Sequence, residues 1–128
     1  MLQMATRSPI KLLVVDDHAA FRATVRQMFD GLNAVVIEAG SGEEALQLFG
    51  SEHPDWVIMD LRMPGMGGIK ATEAIHHLDA SARVIVISQF TEPEWGEQAR
   101  QAGAVGFVSK EHLAQLVSII DQQSPLQP

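Results

Sequence analysis

The chain has 128 residues, of which 46% are hydrophobic and 20% charged, and these proportions are typical of one folded domain. Its net charge of −7 argues against direct nucleic-acid binding by this chain, because that affinity depends on Lys and Arg. The absence of cysteine excludes disulfides, thiol chemistry and cysteine-based zinc sites. No apolar run approaches the roughly 20 residues that span a bilayer and the start lacks a signal-peptide pattern, so we expect a cytoplasmic protein without membrane association.

Five short apolar runs follow one another along the chain. They are LLVV at 12–15, AVVI at 34–37, WVIM at 56–59, VIVI at 84–87 and VGFV at 105–108. Each is rich in β-branched residues and lacks polar alternation, as is typical of strands that are covered on both faces. We therefore predict five buried strands.

Helical patterns follow each of these runs. Apolar residues at helical spacing follow the first and the last run: Phe21, Val25, Met28 and Phe29, and Leu113, Leu116, Val117 and Ile120. Ser41 with Glu44, and Thr91 with Glu94, match the capping box that opens a helix. A weaker apolar stripe lies at 67–78. The alternation predicts a single α/β domain, a five-stranded parallel sheet with five helices on both faces.

The same patterns predict where the domain begins and ends. We expect a flexible N-terminal segment at 1–9 and the folded domain at 10–122. The polar, proline-bearing sequence at 123–128 predicts a tail or the start of a linker.

Acidic residues end two of the predicted strands. Asp16 and Asp17 follow the first strand, and Asp60 follows the third. Ligands of open parallel sheets bind beyond the carboxyl ends of the strands, where the strand order reverses. If these two strands are neighbours there, each pair of carboxylates about 5 Å apart repels by roughly 3 kcal/mol at an effective dielectric near 20. Such a cluster raises its pKa values or recruits a cation, and oxygen ligands favour Mg²⁺.

Two other strands end in groups that suit an anion. The fourth ends in the hydroxyl of Ser88, and the fifth leads to the ammonium of Lys110. A hydroxyl and an ammonium beside an acid and a divalent cation could stabilise a phosphoryl group. Asp60 could be the nucleophile, because carboxylates form acyl phosphates. The apolar strand would hold Asp60 rigidly. The glycines after Asp60 would leave the outer face of its carboxylate open to a bulky group.

Four motifs, KLLVVDD, DWVIMDLRMPGMGGI, VIVIS and AGAVGFVSK, occur in this order and together resemble the receiver domain of two-component response regulators. The resemblance covers about residues 10–122. It implies a flavodoxin-like, doubly wound fold with strand order 2-1-3-4-5, which makes the first and third strands neighbours. The sequence AGAVGF and the SKE form at Lys110 are most like receivers that precede helix-turn-helix output domains.

The resemblance also implies roles for individual residues. Asp60 would accept a phosphoryl group from a sensor histidine kinase or phosphotransfer protein, with Mg²⁺ as cofactor. The metal ligands would be Asp16, Asp17, Asp60 and the backbone carbonyl of Arg62. Ser88 and Lys110 would contact the phosphoryl oxygens. Ser88 and Phe107 would act as switch residues that change the surface of helix 4, strand 5 and helix 5.

That surface would then control an output partner or domain or form a homodimer. A C-terminal output domain outside this sequence would bind DNA and regulate transcription. We expect no turnover of an external substrate beyond the chain's own phosphorylation and dephosphorylation. Gln89 and Glu111 depart from the family pattern, and Gln89, Phe90 and Arg62 flank the site where they would tune phosphoryl lifetime.

Three alternatives remain. The chain could be a stand-alone receiver that acts through protein contacts. It could be a Mg²⁺-dependent phosphatase with Asp60 as nucleophile, although Arg62 stands where an acid would be needed and no cap domain is inserted. A flavodoxin-like cofactor carrier would need a hydroxyl-rich loop after the first strand, where the sequence is the acidic DDHAAF. His76 and His77 are adjacent on a predicted helix but point about 100° apart, and the other three histidines are scattered, so we predict no histidine metal site.

Overall fold

The computed structural model describes residues 8–127, in which strands and helices alternate five times. The strands are β1 Ile10–Val15, β2 Ala34–Ala39, β3 Trp56–Asp60, β4 Val84–Ser88 and β5 Gly106–Ser109. The helices are α1 Ala19–Met28, α2 Gly42–Glu52, α3 Gly68–Leu78, α4 Pro93–Gln101 and α5 Ala114–Gln123, with a 3₁₀ turn at Lys110–His112. No helix in this part of the chain is long and apolar enough to cross a membrane. The predicted N-terminal segment 1–9 falls outside the described residues except for its last two.

All five strands are parallel and lie in the order β2-β1-β3-β4-β5. The predicted fold class and strand order are confirmed. Because β1 lies between β2 and β3, the strand order reverses there, and Val15 pairs with Met59 at the carboxyl ends. This pairing brings the residues that follow β1 beside the last residue of β3.

The sheet separates two hydrophobic cores. One core packs β-strand side chains against α2, α3 and α4, through residues such as Phe49 and Ile75. The other packs them against α1 and α5, through residues such as Phe29 and Leu116. Side chains of β3 alternate between these cores, since successive residues of a strand point to opposite faces. Burial on both faces explains why the strand sequences lack polar alternation.

One of the two predicted N-cap residues is confirmed and the other is wrong. The Ser41 side chain accepts a hydrogen bond from the Glu44 amide at 3.1 Å, and α2 begins after it. By contrast, α4 begins at Pro93 with Glu92 at the N-cap and without a side-chain cap, so Thr91 lies outside the helix. Proline is favoured at the first helical position, because its fixed φ suits a helix and its missing N–H would be unpaired there. Pro93 therefore sets the start of α4.

The residues after α5 pack back onto the domain. Leu126 is buried in the core beneath α1 and α5, and its carbonyl accepts a hydrogen bond from the Asn33 amide at 2.6 Å. The Leu126 amide donates to the Asp121 carboxylate at 2.8 Å, and the indole of Trp56 donates to the Ser124 hydroxyl at 3.1 Å. The assignment of 123–128 as a tail or linker stays a prediction about domain organisation, but residues 124–126 are held by specific contacts.

Candidate functional site

Four predicted site residues meet at the carboxyl edge of the sheet. Asp16 follows β1, Asp60 ends β3, Ser88 ends β4 and Lys110 follows β5. All are largely buried except Lys110, whose side chain is 21% exposed. The parallel sheet makes this convergence possible, because the carboxyl ends of its strands lie along one edge.

Lys110 joins the two buried acids. Its Nζ donates a hydrogen bond to Asp16 Oδ2 at 2.9 Å and lies 3.1 Å from Asp60 Oδ1. The same ammonium lies 4.3 Å from the centre of the Phe21 ring, a distance that permits a cation–π contact. Lys110 therefore neutralises part of the charge of the cluster.

The pKa of Asp60 reflects this crowded arrangement. Burial, helped by the negative charge of Asp16, raises the pKa of Asp60 to about 6, although the Lys110 ammonium opposes the shift. Burial alone would lower the pKa of Lys110, but its hydrogen bond to Asp16 and the charge of Asp60 outweigh that effect and raise it. Without a further cation, the cluster thus holds more negative charge than Lys110 can fully compensate.

Asp16 is fixed by several neighbours. Its Oδ1 accepts a hydrogen bond from the His18 amide at 2.8 Å, while its backbone carbonyl accepts one from Arg22 Nη1 at 2.7 Å. Arg22 is itself oriented by Glu38 on β2, through a contact of 2.9 Å. This network defines the path of the chain between β1 and α1.

One carboxylate oxygen of Asp17 is available as a ligand or hydrogen-bond acceptor. Its Oδ1 is inaccessible to solvent yet has no hydrogen-bond partner, and the His18 imidazole lies 3.4 Å from it. One potential ligand atom from each of Asp16, Asp17 and His18 lies within 4.8 Å of the others. An unpartnered carboxylate oxygen beside another carboxylate fits a hard divalent cation such as Mg²⁺, so this acidic cluster could hold a metal ion.

Ser88 contributes its hydroxyl to a small cavity of about 70 Å³ over Asp60. The lining residues are His18, Asp60, Arg62, Ser88, Gln89, Phe90 and Lys110. The Ser88 hydroxyl already accepts a hydrogen bond from the Phe90 amide at 2.7 Å, which holds it in place. The cavity thus combines a carboxylate, a hydroxyl and an ammonium, a set that suits a tetrahedral anion bonded to the carboxylate.

The two remaining predicted site residues are placed differently. The Arg62 side chain is exposed and lines the cavity, with its guanidinium over the rings of Phe90 and Trp95. Phe107 is half-buried on β5 and packs with the core under α4, opposite Gly96, and it does not line the cavity. The metal-ligand role of the Arg62 carbonyl and the switch role of Phe107 stay predictions.

The backbone behind Asp60 is packed tightly. A Cβ atom at Gly68, the first residue of α3, would overlap the carbonyl oxygen of Asp60. The Gly68 amide also donates to the Leu61 carbonyl at 2.9 Å. Only glycine allows α3 to begin so close to the end of β3, so the start of this helix holds the Asp60 backbone in position.

Two residues near the acids were missed by the sequence analysis. His18 contacts both Asp16 and Asp17, and Arg22 holds the Asp16 carbonyl. His18 could have been found because it directly follows the acidic pair. Arg22 had a signal as well, since it is an arginine on the first turn of a helix that follows the acidic loop, where an acid would be the usual choice.

Comparison with known proteins agrees with this geometry. Residues 12–121 match the family model of the response regulator receiver domain. The response regulator GacA of Pseudomonas syringae pv. syringae (strain B728a) is 39% identical over 115 residues, which cover 87% of this chain and 53% of that protein. The transcriptional activator protein ExaE of Pseudomonas putida is 43% identical over 101 residues, which cover 77% of this chain and 47% of that protein.

A solved structure agrees as well. The crystal structure of a two-component response regulator of the LuxR family from Aurantimonas sp. SI85-9A1 superposes with a TM-score of 0.84 at 35% identity. The match covers 90% of this chain and 84% of that one. The chain belongs to the response regulator receiver domain family, as its sequence motifs predicted.

Membership defines the general class of activity. Receiver domains belong to two-component systems, where they interact with histidine kinases, bind Mg²⁺ and act in signalling rather than by turnover of an external substrate. The chain spans about half the length of the curated relatives it matches, which are regulators that include a transcriptional activator.

Proposed function

We propose that this chain is a phosphorylation-dependent signalling switch in which Asp60 accepts a phosphoryl group from a histidine kinase or phosphotransfer protein. The observation that carries the proposal is the position of Lys110, whose ammonium joins Asp16 to Asp60 at the rim of a cavity that also contains the Ser88 hydroxyl. This set of groups supports nucleophilic attack by a carboxylate and stabilisation of the product.

In the proposed step, an oxygen of the ionised Asp60 carboxylate attacks the phosphorus atom of a phosphohistidine. The new O–P bond forms as the P–N bond breaks, and the electron pair of that bond leaves on the imidazole nitrogen, which takes up a proton. Ser88 donates a hydrogen bond to a phosphoryl oxygen, and Lys110 moves its charge from the Asp60 carboxylate to the phosphoryl group. The buried strand behind Asp60 orients the nucleophile.

Asp16 and Asp17 would hold Mg²⁺ together with Asp60 and the Arg62 carbonyl. The unpartnered Asp17 oxygen and the charge left uncompensated around Asp60 support this assignment. When bound, the ion supplies positive charge that lowers the repulsion between the carboxylates and the incoming phosphoryl group.

The proposed output is a change of surface. The phosphoryl group brings about two negative charges at pH 7. A shift of Ser88 and Lys110 toward it would move the loop after β4 and let Phe107 turn inward, which would change the surface of α4, β5 and α5. That surface would bind a second copy or an output domain, and the transcriptional relatives support transcription as the regulated process.

The test is phosphorylation with acetyl phosphate and Mg²⁺, followed by mass spectrometry of the intact protein. We expect the chain to gain one phosphoryl group, Asp60→Asn to gain none and Asp79→Asn, an exposed acid at the end of α3, to react normally. Phosphoryl gain by Asp60→Asn would disprove the assignment. Turnover of an external phosphomonoester would instead favour a phosphatase.

A further inference from the structure

Arg62 links the cavity over Asp60 to helix α4. Its guanidinium carbon lies 4.4 Å from the centre of the Phe90 ring, in the loop after β4, and 5.1 Å from that of Trp95, on α4. The residue lines the small cavity with Asp60 and also a larger one of about 540 Å³ that extends to Ile69 of α3 and Trp95 of α4. Arg62 thus lines both cavities.

The Arg62 guanidinium makes only weak contacts with the other described residues. Within residues 8–127, no carboxylate lies within ion-pair distance of its guanidinium, whereas Arg22 and Arg26 both contact Glu38. Its guanidinium instead packs over two aromatic rings, those of Phe90 and Trp95. A cation–π contact at an exposed position is weaker than a hydrogen bond from a guanidinium to a phosphoryl oxygen, which is assisted by charge and often bidentate.

We propose that Arg62 is a phosphoryl-binding residue whose side chain moves from the Phe90 and Trp95 rings to the phosphoryl oxygens once Asp60 is modified. This inference rests on the proposed function of Asp60. Arg62 lines the cavity and its guanidinium lies over the ring of Phe90, which also lines it, so the movement requires rotation of one long side chain rather than a rearrangement of the backbone. The negative charge that arrives at Asp60 provides the attraction.

The movement has a consequence for α4. Trp95 loses the cation that packs on its ring, and Phe90 loses it as well. Helix α4 begins without a side-chain cap, so few polar contacts hold its first turn. Arg62 therefore transmits the state of Asp60 to the beginning of α4 through its own side chain, in addition to the proposed movements of Ser88 and Phe107.

The experiment titrates the protein with beryllofluoride in excess Mg²⁺ and follows the fluorescence of Trp95. Beryllofluoride binds to carboxylates as a phosphoryl mimic. The variant Trp95→Phe retains Trp56, so an emission change that disappears in this variant comes from Trp95. Arg62→Met retains most of the apolar part of the side chain but removes the charge. Arg62→Lys keeps a positive charge but lacks the planar guanidinium that can form two parallel hydrogen bonds.

The matched control is Arg83→Met. Arg83 also places its guanidinium over an indole, 4.6 Å from the centre of Trp56, but it does not line either cavity. Circular dichroism before and after titration confirms that each variant is folded.

We expect Arg62→Met to bind beryllofluoride about tenfold more weakly, the size of one charge-assisted hydrogen bond less the cation–π contact given up. Its Trp95 emission change should be clearly smaller than that of the parent, Arg62→Lys should be intermediate, and Arg83→Met should resemble the parent. Unchanged affinity in Arg62→Met, or a Trp95 change of undiminished size, would overturn the inference. Failure of the parent to bind, or binding by Asp60→Asn, would instead refute the proposed role of Asp60.

Discussion

The ammonium of Lys110 lies 3.1 Å from the carboxylate of Asp60, so the acid at the end of β3 is paired with a cation from the far end of the chain. The same ammonium bonds Asp16. Stability and reactivity are therefore coupled at this edge of the sheet, because the acids proposed to accept the phosphoryl group and bind the metal repel one another, and Lys110 compensates part of their charge.

Replacement of Asp60 by Asn should stabilise the metal-free protein at neutral pH. Burial raises the pKa of Asp60 to about 6, above the 3.8 of an ordinary aspartate. A raised pKa means that the folded state binds the proton more tightly, so this favourable contribution is present below pH 4 and is lost as the pH rises through about 6. We expect Asp60→Asn to gain about 1–3 kcal/mol of unfolding free energy at pH 7.5 and much less at pH 4.

Urea denaturation in EDTA at both pH values measures this gain. Asp30→Asn, which removes an exposed acid after α1, serves as the control and should change little. An equal gain for Asp60→Asn at pH 4 and pH 7.5 would contradict the assigned cause.

Loss of Lys110 should have the opposite effect. Lys110→Met leaves the buried carboxylates of Asp16 and Asp60 without their cation, and removal of one partner of a buried ion pair is strongly destabilising. We expect a loss of about 2–4 kcal/mol in EDTA at pH 7.5, with a smaller loss near pH 5, where Asp60 is protonated. Arg100→Met is the control, since its partner Glu97 lies on the same helix, both side chains are exposed, and such pairs contribute little to stability.

A methyl group at Gly68 should disturb Asp60. Because its Cβ would overlap the Asp60 carbonyl oxygen, Gly68→Ala must push α3 away from β3, at a cost of about 1–3 kcal/mol. Gly50→Ala offers a comparison inside α2, where a Cβ meets no atom within 4 Å and alanine should be neutral or stabilising. Thermal denaturation of both variants checks this, and beryllofluoride binding should weaken only in Gly68→Ala.

Truncation of Leu126 should cost as much as a core substitution. Its side chain is 1% exposed, so Leu126→Ala should lose about 2–4 kcal/mol of unfolding free energy. Leu78→Ala, at a leucine that is 63% exposed, should change stability by about 0.5 kcal/mol or less. Equal effects in a urea titration would show that residues 124–126 do not pack on the domain in solution.

The sequence predicted which residues lie close together where that follows from the regular geometry of a parallel sheet. Asp16, Asp60, Ser88 and Lys110 could be placed together because each follows or ends a strand, and the strand ends of such a sheet share one edge. Their roles remain proposals, because proximity alone does not establish phosphoryl transfer.

Other features depend on details that no periodic pattern contains. Pro93 overrode the capping signal at Thr91 because proline fixes the first residue of the helix. The position of Arg62 over Phe90 and Trp95 depends on the rotamer of a long side chain. Leu126 is one apolar residue in a polar segment, and its burial depends on a groove formed by distant parts of the chain.

Because the sheet separates two hydrophobic cores, NMR resonances from one core can serve as a reference for changes in the other. Methyl groups of Val57 and Met59 lie on the side of α4, whereas those of Ile58 and Ile85 lie on the side of α1 and α5. A rearrangement at α4 should therefore displace the first pair of NMR resonances, while the second pair, on β3 and β4, stays close to its starting frequencies.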